Sequence, residues 1–255
     1  MTDVALCAPS PAAAAEREDS IDAFEDLGAR AAIDLTTGVF AEPLESLVTL
    51  PTDSLLKSES PPVFLDGSDG VARIDPPGPD ASQLVVSSAP LRNEEGAIAG
   101  GELEVTGDGF QPQVPLAEVQ IPERAGGSVE LADVGVSFSV DGAANTLGRL
   151  VDVGSSSGRE MVIYPNTATD TDSATTYTLS GVETFTYLRS AESPEKVRLT
   201  YDLPEGASLA ETTGGGAEVT DSAGEVLVDI DPPFAVDAQG SDVPLGLTRS
   251  EERRV

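Results

Sequence analysis

Histidine and tryptophan are missing from this chain, cysteine occurs once, and aromatic residues fill only 4% of its 255 positions. Without histidine neither a Ser-His-Asp nor a Cys-His catalytic arrangement can be assembled, and the commonest metal ligand is gone. The lone Cys7 excludes an intrachain disulfide and a cysteine-based zinc or redox site. Leu6 stands where a lipoprotein attachment site takes a small residue, so Cys7 reads as an inert thiol. With so few aromatics, a core must rest mainly on Val, Leu, Ile and Ala, each contributing a small burial term. No apolar run approaches the roughly 18 residues of a membrane-spanning helix.

Positive charge is scarce too. Fourteen Lys and Arg face 45 Asp and Glu, giving a net charge of −31, while mean hydropathy is −0.07. That balance lies near the border between folded and disordered compositions. Such a surface repels nucleic-acid phosphates and anionic lipid headgroups, so neither nucleic acid nor membrane insertion is expected. Divalent cations and cationic polymers remain as partners, and screening by salt or calcium should stabilise the fold.

What is present changes texture along the chain. Residues 1–15 end in Pro11-Ala12-Ala13-Ala14-Ala15, which reads either as a disordered Ala/Pro leader or as the small-residue remnant of a signal peptide. Residues 16–62 form a short helical segment and linker: Ile21, Phe24 and Leu27 share one helical face, Asp19 or Ser20 serves as N-cap, and Gly28 is a stop. A second stretch, Leu44 to Leu56, is cut by Pro43 and Pro51.

From Val63 the pattern turns to short strands. Val134, Val136, Phe138 and Val140 alternate with small or polar residues, as do Val197, Leu199, Tyr201 and Leu203, which predicts strands with one buried and one wet face. Further strands are predicted at Gln83–Ser88, Leu103–Thr106, Leu147–Val151, Met161–Tyr164, Thr175–Leu179, Val182–Leu188, Ala217–Thr220 and Val226–Ile230. Ser180-Gly181 should join two strands directly, and Ser222-Ala223-Gly224 reads as a three-residue hairpin loop with a left-handed glycine. The expectation is a mainly β, antiparallel, sandwich-like fold of one or two packed β-domains. These span 63–154 and 155–250, with a joint near Gly154–Gly158 and a tail at 251–255.

Catalytic chemistry is thin. Gly214-Gly215-Gly216 matches no phosphate-binding pattern and reads as a loop. A glycosidase needs only two carboxylates at the right separation, but no acidic pair is singled out by its setting. The segment Asn166 to Ser173 spaces oxygen ligands alternately, and Asp170 and Asp172 are the candidate calcium ligands; a polar loop with local backbone bonds is the competing reading. Asp66-Gly67-Ser68-Asp69-Gly70 carries the same two readings.

The run Met161-Val162-Ile163-Tyr164-Pro165-Asn166, continuing through the Thr/Asp loop to Ser180-Gly181-Val182-Glu183-Thr184, resembles a segment ahead of the repeats in secreted bacterial RHS/YD-repeat, wall-associated, teneurin-like proteins. The likeness extends to Leu188-Arg189-Ser190, Pro194, Tyr201-Asp202-Leu203-Pro204 and Pro232-Pro233-Phe234 through Ala238, covering residues 100 to 250. It implies an N-terminal β-rich module of an exported polypeptide and supplies no catalytic residue. The chain carries no tyrosine-aspartate repeats, and its close at Glu251 to Val255 is consistent with a fragment.

The expected function is therefore a non-catalytic extracellular structural or interaction module of a bacterial cell-surface or cell-wall protein, without a cofactor. Its partners would be other domains of the parent protein or cell-surface components. The alternatives are a calcium- or glycan-binding β-sandwich and, third, a carboxylate-based glycosidase.

Overall fold

The computed structural model describes residues 50, 52–65, 68–75, 82–152, 160–239 and 241–249. The leader, the helical expectation at Ile21 to Leu27 and the joint near Gly154–Gly158 lie outside these residues.

Short strands separated by tight turns build four antiparallel sheets. After one helical turn, α1 (Asp53–Leu56), strands β1 (Val63–Phe64), β2 (Val71–Ile74) and β3 (Gln83–Val86) pair in sequence order. Arg92 holds this sheet's first loop, with its guanidinium 4.1 Å above the Phe64 ring and its Nε 2.6 Å from Asp69 Oδ1. Next come β4 (Leu103–Val105), β5 (Gly109–Pro112), β6 (Val119–Pro122), β7 (Val129–Leu131) and β8 (Val136–Val140), each beside its predecessor.

The third group is β9 (Arg149–Asp152), β10 (Glu160–Ala168), β11 (Thr171–Thr178) and β12 (Gly181–Leu188), a four-stranded meander. Strand β13 (Leu199–Asp202) then returns to pair with β8, completing a six-stranded sheet. The last sheet is β14 (Ser208–Glu211), β15 (Ala217–Thr220) and β16 (Val226–Ile230).

The six-stranded and four-stranded sheets form the sandwich. Leu103, Phe110, Val119 and Ile121 from one pack against Val162, Tyr164 and Tyr177 from the other in a single buried cluster. Strands from both sides of position 154 thus share one core and, through the β8–β13 pair, one sheet. Gly148 is needed where the sheets meet, because a Cβ there would fall 2.7 Å from both Tyr164 Cε1 and Val162 Cγ1. A second cluster, with Leu50, Leu55, Ile74, Val85, Leu91 and Leu179, joins the first sheet to the β11–β12 turn.

Three local expectations are corrected. Val134 sits in a 3-10 turn (Ala132–Val134), and Gly135 at φ 66° reverses the chain so that the strand starts at Val136. The alternation from Val197 to Leu203 yields only β13, with Val197 48% and Leu199 39% exposed; as the outermost strand it has a neighbour on one side alone. The rule of one buried and one wet face fails for β10 and β11, where successive residues are buried. Met161 and Ile163, on the face opposite Val162 and Tyr164, are fully buried, each contributing about 2 kcal/mol of apolar burial.

Turn chemistry is closer to expectation. Gly224 at φ 84° closes the β15–β16 loop, and Asp221 Oδ1 accepts the N–H groups of Ala223 and Glu225, both at 2.8 Å. The β11–β12 turn is offset by one residue: Leu179-Ser180 makes the turn and Gly181 already pairs with Thr178. Strands β1, β2, β5, β6, β7 and β14 are additional to those predicted; all are two to four residues long.

Candidate functional site

The oxygen-rich segment singled out in the sequence folds as a bulged hairpin. Tyr164 pairs with Ser173 and Ala168 with Thr171, so residues 165–167 stand opposite residue 172 alone. Pro165 has no N–H to give the ladder, which places the irregularity here. Asn166 at φ 55° and Asp170 at φ 45° occupy the left-handed region, which Asn and Asp tolerate better than other side chains.

Displaced from the ladder, the Asn166 N–H donates to Asp172 Oδ1 at 2.7 Å. Asp172 is thereby a side-chain substitute for a missing strand acceptor, with its side chain only 1% exposed. Arg189, just beyond β12, brings Nη1 to 3.6 Å from the same carboxylate and donates from Nη2 to Asn166 Oδ1 at 2.6 Å. Thr167 Oγ1 and Ser173 Oγ share a hydrogen bond of 2.9 Å beneath the bulge.

Asp170 is exposed and works differently. Its Oδ2 accepts from Ser190 Oγ at 2.6 Å, while its carbonyl accepts from the Arg189 N–H at 2.8 Å and from Ser193 Oγ at 2.7 Å. Asp170 and Asp172 therefore lie at one turn and bind the same following segment, Arg189 to Ser193, through different donors. Chemically the assembly is a clasp: it lets a β-bulge with two left-handed residues persist by giving its polar groups fixed partners. Among the described residues, no group of three or more His, Cys, Asp or Glu side chains is arranged to hold a metal ion.

Arg189 and Ser193 were not recognised from sequence as partners of the acidic pair. The one signal in the sequence was an arginine directly after an apolar strand in a chain with 14 basic residues against 45 acidic ones. At the other predicted turn, Asp69 pairs with Arg92, and Ser68 Oγ accepts the Gly70 N–H at 3.1 Å.

Inside the sandwich a cavity of about 20 Å³ is lined by Phe138, Tyr164, Ser173, Thr175 and Thr184, room for one water and no organic substrate. An open cleft of about 420 Å³ lies where Leu131 and Asp133 face Leu227 and Asp229. Asp133 Oδ2 there accepts the Glu118 N–H at 2.6 Å.

Buried phenols complete the electrostatics. Tyr164 donates to the Pro122 carbonyl at 2.6 Å, and burial pushes its phenol far above the ordinary range. Burial also raises Tyr177, whose oxygen accepts the Leu116 N–H at 2.8 Å, and Tyr201, whose ring packs 5.6 Å from Phe138.

These features define an antiparallel β-sandwich-like protein with a clasped hairpin formed by the two central strands of its four-stranded sheet. No family model matches the chain, and neither a curated protein nor a solved structure does. No helix among the described residues is long and apolar enough to cross a membrane.

Proposed function

We propose that the chain is a non-catalytic structural or interaction module of an exported, RHS-type bacterial surface protein. The observation that carries this reading is the use made of the acidic residues singled out in the sequence. Asp170 and Asp172 fasten a hairpin and so serve the rigidity of the sheet. The antiparallel architecture and the strongly acidic composition suit a spacer or docking module among cell-surface components. Fractionation of the producing cells tests it: the protein should be recovered from the envelope or the medium, and recovery from the cytosol alone would overturn the proposal.

A calcium-binding module is the second reading, favoured by the gathering of Asn166, Asp170 and Asp172 in one turn. Calorimetry separates the two. Heat of binding that disappears in Asp170→Ala supports calcium, and a flat titration supports the structural module.

A further inference from the structure

The last sheet ends on an open edge. Its strands run in the order β14-β15-β16, so β16 has a strand neighbour on one side alone. From Val226 to Ile230 it carries neither the proline nor the lysine that commonly blunts an edge against a further strand.

The cleft beside Leu131 and Asp133 runs along this edge. Successive side chains of a strand point to opposite faces, so a wall that includes both Val228 and Asp229 presents the strand's edge, where backbone N–H and C=O groups project. Across from it stand Leu131 and Val134, with Asp133 anchored by the Glu118 N–H that it accepts. At about 420 Å³ the cleft has the size of sites that take ligands.

Register sets the pattern of side chains that would pair there. Val219 stands opposite Val228 and Ala217 opposite Ile230, which makes one face apolar, whereas Glu218 stands opposite Asp229 on the other. Like charges directly opposite each other destabilise a sheet, and a cation on the next strand would offset that repulsion. A strand added to β16 sets its side chains alternately beside Val228 and Ile230, which favour apolar neighbours, and beside Asp229, which favours a cation. Glu118, Asp133 and Asp231 extend the negative charge around the cleft, and among the described residues no Lys or Arg lines it. A second copy of this chain is a poor occupant, because pairing two β16 edges would bring acidic rims together on bodies that each carry a net charge of −31.

We propose that the open edge of β16 is a docking site for an extended peptide segment in which lysine or arginine alternates with apolar side chains, bound as a fourth strand of that sheet. The site shares no residue with the Asp170–Asp172 clasp, and binding there does not depend on the protein being exported.

The test uses the full chain and a fluorescein-labelled peptide, Lys-Val-Lys-Val-Lys-Val, followed by fluorescence anisotropy. The same peptide N-methylated at every residue keeps the side chains and the charge but has no backbone N–H to give, so it reports attraction to any polyanion. The unmethylated peptide should bind at least about tenfold tighter, and in hydrogen–deuterium exchange it should slow the amides of Val226–Ile230. Equal affinity for the two peptides, no binding up to about 1 mM, or protection confined to other strands overturns the proposal. A free chain that sediments as a dimer with its β16 amides already protected assigns the edge to a second copy and overturns it as well.

Charge reversal gives an independent readout. Asp229→Lys with Asp231→Lys inverts the β16 wall and sets a cation opposite Glu218, which favours the sheet. The Lys-Val peptide should bind this variant about tenfold more weakly, whereas Glu94→Lys with Glu95→Lys, the same change of charge outside the cleft, should weaken it by under about threefold. Equal losses in the two variants overturn the proposal. If the first variant loses its β-sheet circular dichroism, the exchange map of the unaltered chain alone decides.

Discussion

Removing the Asp172 carboxylate is the sharpest perturbation of the clasp. In Asp172→Ala the Asn166 N–H loses the acceptor that replaced its ladder bond, and Arg189, only 20% exposed, loses the charge beside it. Breaking a buried pair by deleting one partner costs about 3–5 kcal/mol, because the remaining charge stays desolvated. For a chain of this size that is a fall in melting temperature of about 10 °C.

Asp172→Asn keeps an oxygen for the Asn166 N–H and loses only the charge, so about 1–2 kcal/mol is expected. Asp170→Ala removes an exposed bond to Ser190 and puts alanine at φ 45°, so about 1–2 kcal/mol is expected. Urea unfolding followed by circular dichroism at constant m-value gives all three numbers. The reasoning is refuted if Asp172→Ala lies within about 0.5 kcal/mol of the parent, the range of an ordinary surface substitution. An Asp170→Ala effect that equals or exceeds that of Asp172→Ala refutes it as well.

Three further outcomes are expected. Gly148→Ala should destabilise by about 1–3 kcal/mol through overpacking against Tyr164 and Val162, measured by the same unfolding curves. Tyr164, Tyr177 and Tyr201 have phenols raised above 10.0 by burial, so the unfolded chain loses their protons first. Stability should then be intact below about pH 10 and fall as pH climbs above it, with tyrosinate absorbance rising together with loss of sheet signal. Raising sodium chloride from low to physiological strength should increase the melting temperature, as the Debye length shrinks to about 8 Å and the repulsion within a chain of net charge −31 is screened; a falling melting temperature would contradict the charge argument.

Period-two alternation marked β8 from Val136 to Val140, because a side-chain period of two is a local property, readable from five or six consecutive residues. The same reasoning overreached at Val197 to Leu203. There the pattern is present, but β13 lies at a sheet edge and leaves Val197 and Leu199 exposed. Alternation reports which residues share a face; it carries no information on whether anything covers that face. The acidic turn was recognised as a unit and its two carboxylates were named, whereas Arg189 and Ser193 come from beyond an intervening strand and enter only through the β11–β12 pairing.

By itself the sequence settled the composition of the core, the sign of the surface charge, the exclusion of histidine and disulfide chemistry, and the antiparallel β class, since each follows from residue type or from neighbours in the chain. Tertiary structure alone decided that β13 returns to β8, that Met161 and Ile163 are buried on a second face, and that Asp172 is matched to Arg189. The physical reason is that sheet pairing and layer stacking join residues far apart in sequence, and their register is selected by the packing of the whole molecule.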